Sequence, residues 1–157
     1  MLAIAVGSFM VAMLIGTTDN PLQADAGQHP KWDICYLLLD DFGYNDAPWV
    51  STDLSSAMPN FRGLAAAGVT LSRFYTAAVC TPSRASLLTG RYAMRLGLQH
   101  SVLKLADDGH LPLDEVLLSA KLRASGYATM AVGKWHLGFA SVDATPLHRG
   151  FDRFNGY

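Results

Sequence analysis

The sequence predicts an α/β fold, with a mainly parallel or mixed sheet sandwiched by helices. Strand-like runs recur at Ile34 to Leu39, Val69 to Ala77 and Tyr127 to Gly133. Segments with helical spacing and helix punctuation stand between them, and each run is followed by a polar cluster. Alternating strands and helices bury a sheet between helical layers. In such sheets the ligand crevice lies beyond the carboxyl ends of the strands, so topology is expected to gather the three clusters at one edge.

The first stretch, "MLAIAVGSFMVAMLIG", is apolar up to Gly16 and is followed by polar "TTDNPLQADAG" with small residues at Ala24 and Ala26. This pattern resembles a secretory signal peptide, although no Lys or Arg precedes the apolar run. Residues 1–26 are therefore expected to be a leader and 27–157 the mature portion. The run falls short of the roughly 20 apolar residues that a bilayer span needs, and no later segment comes close, so no stable membrane span is expected.

Next, "ICYLLL" (Ile34 to Leu39) is a continuous apolar run, as for a parallel strand covered on both faces, and it stops at Asp40 and Asp41. In "MPNFRGLAAAG", Pro59 and Asn60 open a short Ala-rich helix that Gly68 closes. "VTLSRFYTA" is β-prone, and "SRASLLTG" predicts a helix from near Ser83 to Gly90. "LDEVLLSAKLRASG" repeats apolar residues at helical spacing, with Asp114 and Glu115 in its first turn and Gly126 at its end. "YATMAVG" is the last strand.

Half of the 157 residues are hydrophobic and the formal net charge is -1. Such a chain can bury a core, and without a basic block it does not point to nucleic acid as a partner. In an oxidising compartment Cys35 and Cys80 could form one disulfide. Their contexts argue against it, since Cys35 reads as a buried strand residue and Cys80 as a loop residue. No Asn-x-Ser/Thr acceptor for a glycan is present.

Three clusters could carry chemistry. Asp40 and Asp41 offer several oxygens to Ca²⁺ or Mg²⁺, and equally form a capped turn. Cys80, ahead of Ser83 and Arg84 at a helix start, suits an activated thiolate or an anion site, and equally an ordinary Pro-initiated helix. Lys134 and His136 flank Trp135 on what reads as extended chain, which would point them to one side, the first to hold an anion and the second to move a proton. His100, His110 and His148 lie in uninformative contexts.

Taken together, "CTPSRASLLTGR" (Cys80 to Arg91), "GYATMAVGKWHLG" (Gly126 to Gly138) and "LLLDDFGYND" (Leu37 to Asp46) resemble the signatures and first metal segment of the type I, formylglycine-dependent sulfatases. "RGFDRFNGY" fits as well, and the resemblance is nearest to the arylsulfatase B-like group. It implies an alkaline-phosphatase/sulfatase-like fold and runs from Trp32 to Tyr157 in family order.

The resemblance implies a sulfuric ester hydrolase whose Cys80 is oxidised to Cα-formylglycine by a dedicated generating enzyme that reads Pro82 and Arg84. The aldehyde hydrate bears two hydroxyls on one carbon: one attacks sulfur and expels the alcohol, and the other collapses to release sulfate. Asp40, Asp41 and modified Cys80 would hold one Ca²⁺. Arg84 and Lys134 would hold the formylglycine and offset charge, and His136 would accept the hydrate's proton. Substrates would be sulfated small molecules or glycans, and the location the secretory pathway, lysosomal or extracellular.

Further family residues, an Asp with Asn or Asp at the metal and a His/Lys pair at the substrate, lie downstream of the matching segments. The chain is accordingly expected to be the N-terminal portion of a catalytic domain, inactive and poorly stable alone. Two other readings are a non-catalytic binding or decoy product and a metal-dependent phosphohydrolase with an unmodified nucleophile. The complete C-T-P-S-R context speaks against the latter.

Overall fold

Asp33–Leu37 pairs antiparallel with Met10–Ile15 in a computed structural model that describes residues 2–5, 10–15 and 32–157. The chain forms two compact units, Met1–Thr76 and Ala77–Tyr157.

In the first unit, strands β1 (Leu2–Ala5), β2 (Met10–Ile15), β3 (Asp33–Leu37) and β4 (Val69–Leu71) make one sheet in the order β3-β2-β1-β4. β2 runs antiparallel to both neighbours, and β1 and β4 are parallel, so the sheet is mixed. Helix α1 (Pro59–Ala67) connects β3 to β4 and packs on β1 and β4. Pro59 at its first turn has no N–H to leave unpaired, and Gly68 ends it where the sequence places the stop. Ala65 is buried beside Leu39, Trp49, Phe61 and Leu64. The region around Ala24 and Ala26, where the leader is expected to end, lies outside the described residues.

β3 corrects one expectation. It is antiparallel to its neighbour rather than part of a parallel pair, and Cys35 is exposed rather than buried. An apolar run shows that a strand can be covered, whereas its burial depends on what packs against it. Among the described residues the packing of this unit gathers at Leu39 and α1, beyond the strand itself. The next β-prone run is also shorter than expected, with only Val69–Leu71 paired as a strand.

The second unit contains α2 (Cys80–Thr89), α3 (Leu118–Ala124) and a parallel pair of strands, β5 (Met130–Gly133) and β6 (Arg153–Gly156). Its core gathers Ala85, Leu96, Leu111, Leu117, Trp135 and Leu137. Trp135 meets Phe151 edge to face at 6.3 Å, and its indole N–H donates to the carbonyls of Gly138 (3.0 Å) and Ala144 (3.2 Å). A buried indole thus keeps both its apolar contacts and its polar partner. The α/β class holds, with strands in two sheets rather than one.

α3 begins later than the apolar spacing predicts, and Asp114 and Glu115 precede it instead of forming its first turn. Buried Arg149 donates through Nη2 to the carbonyl oxygens of Pro112 (2.9 Å) and Glu115 (3.1 Å). With those acceptors engaged by a guanidinium, the chain turns at residues 113–115, Leu117 is extended (φ -85°, ψ 155°), and the helix starts after it. Gly126 follows the helix with φ +81°, and its N–H donates to Arg123 O at 2.9 Å, which matches the predicted glycine stop.

At the start of β5, Asp152 Oδ2 accepts hydrogen bonds from the Thr129 amide (2.9 Å) and hydroxyl (3.1 Å). These bonds, the backbone one first, hold the Asp152 carboxyl below the usual carboxylate range.

Candidate active site

Cys80 is the first residue of α2, three positions ahead of the helix start that the sequence suggests. Val79 is extended (φ -135°, ψ 164°), and the Ser83 amide donates to its carbonyl to close the first turn. The Ser83 hydroxyl adds bonds to the carbonyls of Ala77 (2.8 Å) and Val79 (2.9 Å). Pro82 fits here because first-turn amides have no partner within the helix. Ser83 and Pro82 therefore move the helix start back onto Cys80. Gly90, at φ +69°, ends the helix in the left-handed region that favours glycine.

β5 brings the second cluster to this helix start. Lys134 Nζ donates to Cys80 Sγ at 3.2 Å. Arg84 Nη1 donates to the Lys134 carbonyl oxygen at 2.5 Å. α2 thus presents one side chain to the Lys134 ammonium and another to its backbone. Cys80 is partly exposed.

His136 takes a different path from the one expected. The chain is not extended through "KWH": Gly133 has φ +106° and His136 φ +56°. The left-handed residue breaks the alternation that would set Lys134 and His136 on one side. The ring turns to the Leu103 carbonyl instead, with Nε2 at 2.8 Å. A carbonyl oxygen only accepts, so Nε2 carries a proton, and in the neutral ring Nδ1 is the bare nitrogen. Nδ1 is buried and has no hydrogen-bond partner.

One residue here escaped sequence reasoning. Thr81 is fully buried, donates to the His136 carbonyl at 2.9 Å and accepts from the Leu103 amide at 3.1 Å. Its side-chain type carries no chemical signal, and a backbone carbonyl such as that of Leu103 leaves no mark in a sequence.

Asp40 and Asp41 belong to the first unit, in an exposed turn after β3. Asp41 has φ +52°, a conformation that Asp tolerates better than most side chains. Cys80, Arg84, Lys134 and His136 all belong to the second unit. There the first three are joined by direct hydrogen bonds, and His136 is joined to residue 81 through its carbonyl. Cys35 and Cys80 do not form the disulfide that the sequence left open. No helix among the described residues is long and apolar enough to cross a membrane.

The sequence is similar to those of known proteins. The family profile described as Sulfatase matches residues 33–157. The chain is 42% identical over 123 residues to Arylsulfatase J of Mus musculus, covering 78% of this chain and 20% of that protein. It is 47% identical over 125 residues to Arylsulfatase A of Bos taurus, covering 78% of this chain and 24% of that protein. Among solved structures, that of Ps i-CgsB is similar at 37% identity, covering 52% of this chain and 18% of that one, with a TM-score of 0.49. The chain spans about a fifth to a quarter of the length of these curated relatives. With the profile matching through all of the second unit and from Asp33 onward in the first, the chain belongs to the type I sulfatase family.

Proposed function

We propose that this chain carries the nucleophile-bearing part of a hydrolase of sulfate monoesters, with Cys80 converted to Cα-formylglycine and one Ca²⁺ held by Asp40, Asp41 and the modified residue 80. The observation that carries this reading is the contact between Lys134 Nζ and Cys80 Sγ at a helix start. An oxygen on the same β-carbon accepts the same hydrogen bond from Lys134, so the surroundings of residue 80 fit the modified side chain. Two carboxylates and an oxygen-bearing residue 80 are the hard donors that Ca²⁺ takes, though fewer than its usual six to eight oxygens.

The hydrated aldehyde supplies paired hydroxyls on one carbon, and a bound Ca²⁺ supplies Lewis acidity toward the sulfate oxygens. The chain's own residues do the rest. Lys134 donates to the side chain of residue 80 and offsets negative charge gathering near it. Arg84 braces Lys134 by holding its carbonyl. His136 has its Nε2 proton committed to Leu103, so it takes up a proton at Nδ1.

The substrate class is a sulfated small molecule or glycan, with sulfated sugars preferred. The partner in biosynthesis is a formylglycine-generating enzyme, and the setting is the secretory pathway, lysosomal or extracellular.

Mass spectrometry of the tryptic peptide Phe74 to Arg84, from protein made in a competent secretory pathway, tests the proposal. The expected peptide has one sulfur and two hydrogens of residue 80 replaced by one oxygen. A fully intact thiol in that peptide overturns the proposal and favours a non-catalytic binding product.

A further inference from the structure

Three hydrogen bonds close a circuit beside residue 80. The Thr81 hydroxyl donates to the His136 carbonyl (2.9 Å), the Leu103 amide donates to the Thr81 hydroxyl (3.1 Å), and His136 Nε2 donates to the Leu103 carbonyl (2.8 Å). The circuit joins residues 81, 103 and 136 of one compact unit. The hydroxyl serves as both donor and acceptor, and Thr81 has no exposed surface through which water could replace either partner. His136, held at its carbonyl and at its ring, is in the left-handed region at φ +56°. A β-branched side chain is stiff at χ1, so the hydroxyl has little freedom to leave this position.

We propose that Thr81 is a positioning residue that sets the orientation and tautomer of the His136 imidazole, keeping the proton on Nε2 and the lone pair on Nδ1. It acts through two backbone groups, the carbonyl of His136 and the amide of Leu103. A Thr in direct covalent succession to residue 80 thereby ties the ring's placement to the helix that carries the nucleophile. This inference rests on the proton-accepting role proposed for His136.

The test reads the ring itself, so its outcome is independent of whether Cys80 is modified or any ester is cleaved. The ¹⁵N shifts of the His136 ring nitrogens are compared in the full chain, in Thr81→Val and in Thr81→Ser, at a pH where the ring is neutral. In the unaltered chain Nε2 is the protonated nitrogen. In Thr81→Val, which keeps the shape and loses the hydroxyl, the Nε2–H to Nδ1–H ratio falls by roughly tenfold, the equilibrium equivalent of one neutral hydrogen bond. Thr81→Ser restores it. The assignment is overturned by a valine variant that keeps the original ratio, by a serine variant that fails to restore it, or by a valine variant whose amide spectrum collapses as a whole. The last result would make Thr81 a general packing residue.

Discussion

Lys134 Nζ and Cys80 Sγ lie 3.2 Å apart although 54 residues separate them in the chain. α2 supplies one partner as its first residue, and the residue directly after β5 supplies the other. The Arg84 guanidinium, one helical turn beyond Cys80, holds the Lys134 carbonyl and completes the arrangement.

That guanidinium also has a structural share. Replacing Arg84 with Ala leaves the Lys134 carbonyl without its charged donor, and hydrogen bonds to charged groups contribute about 1.5–3 kcal/mol each. Arg84→Ala is expected to lower the stability of the second unit by an amount in that range. Arg84→Lys, which lacks the planar fork, restores only part of it. Urea unfolding followed by tryptophan fluorescence measures both, and an unchanged midpoint for Arg84→Ala would remove the bracing role.

The proposed modification of Cys80 is expected to respond differently to changes in its local sequence and in the folded site. If the generating enzyme reads an unfolded segment, Pro82→Ala reduces conversion of Cys80 by about tenfold or more, the effect of losing on the order of 1.4 kcal/mol of recognition. Lys134→Ala leaves conversion unchanged, because Lys134 meets Cys80 only after folding. Quantitative mass spectrometry of the same peptide decides this. Equal losses in both variants would mean that the folded site is what the enzyme recognises.

Acid should loosen the start of β5 in a way that depends on one carboxylate. Hydrogen bonds from Thr129 depress the Asp152 pKa in the folded state, so the stability they confer is fully present above the unfolded value of 3.8. It disappears as pH falls through the lower folded value. Asp152→Asn is expected to lower the thermal midpoint near pH 7 and to flatten this acid limb, so that the variant and the unaltered chain converge in acid. A variant with the same acid limb as the unaltered chain would refute the assignment.

Gly150 stands where no side chain fits. Its φ is +96°, and a Cβ built on it would come within 2.6 Å of Ala120 Cα, on the helix that the turn passes. Gly150→Ala therefore combines left-handed strain with a backbone clash, and is expected to cost about 2–4 kcal/mol. Gly90→Ala keeps the strain without the clash, since nothing lies within 4 Å of its Cβ position, and is expected to cost about 1 kcal/mol. Thermal unfolding of the two variants side by side checks the ranking, and equal losses would contradict it.

Much was legible in the order of residues. The stop at Gly68, the glycine after α3 and the strand ending at Gly133 all follow from local rules of backbone geometry and from side-chain type. Those rules also picked out Cys80, Arg84 and Lys134, which the second unit brings together.

Tertiary structure decided what depends on distant partners. The exposure of Cys35 follows from what packs, or does not pack, on β3, and an apolar run cannot encode that. The late start of α3 follows from Arg149 taking two carbonyls across more than thirty residues. The left-handed turn at His136, which sends its ring to Leu103 rather than alongside Lys134, and the linking hydroxyl of Thr81 arise from hydrogen bonds to backbone groups. Every residue carries the same backbone groups, so only the folded chain selects which of them become partners.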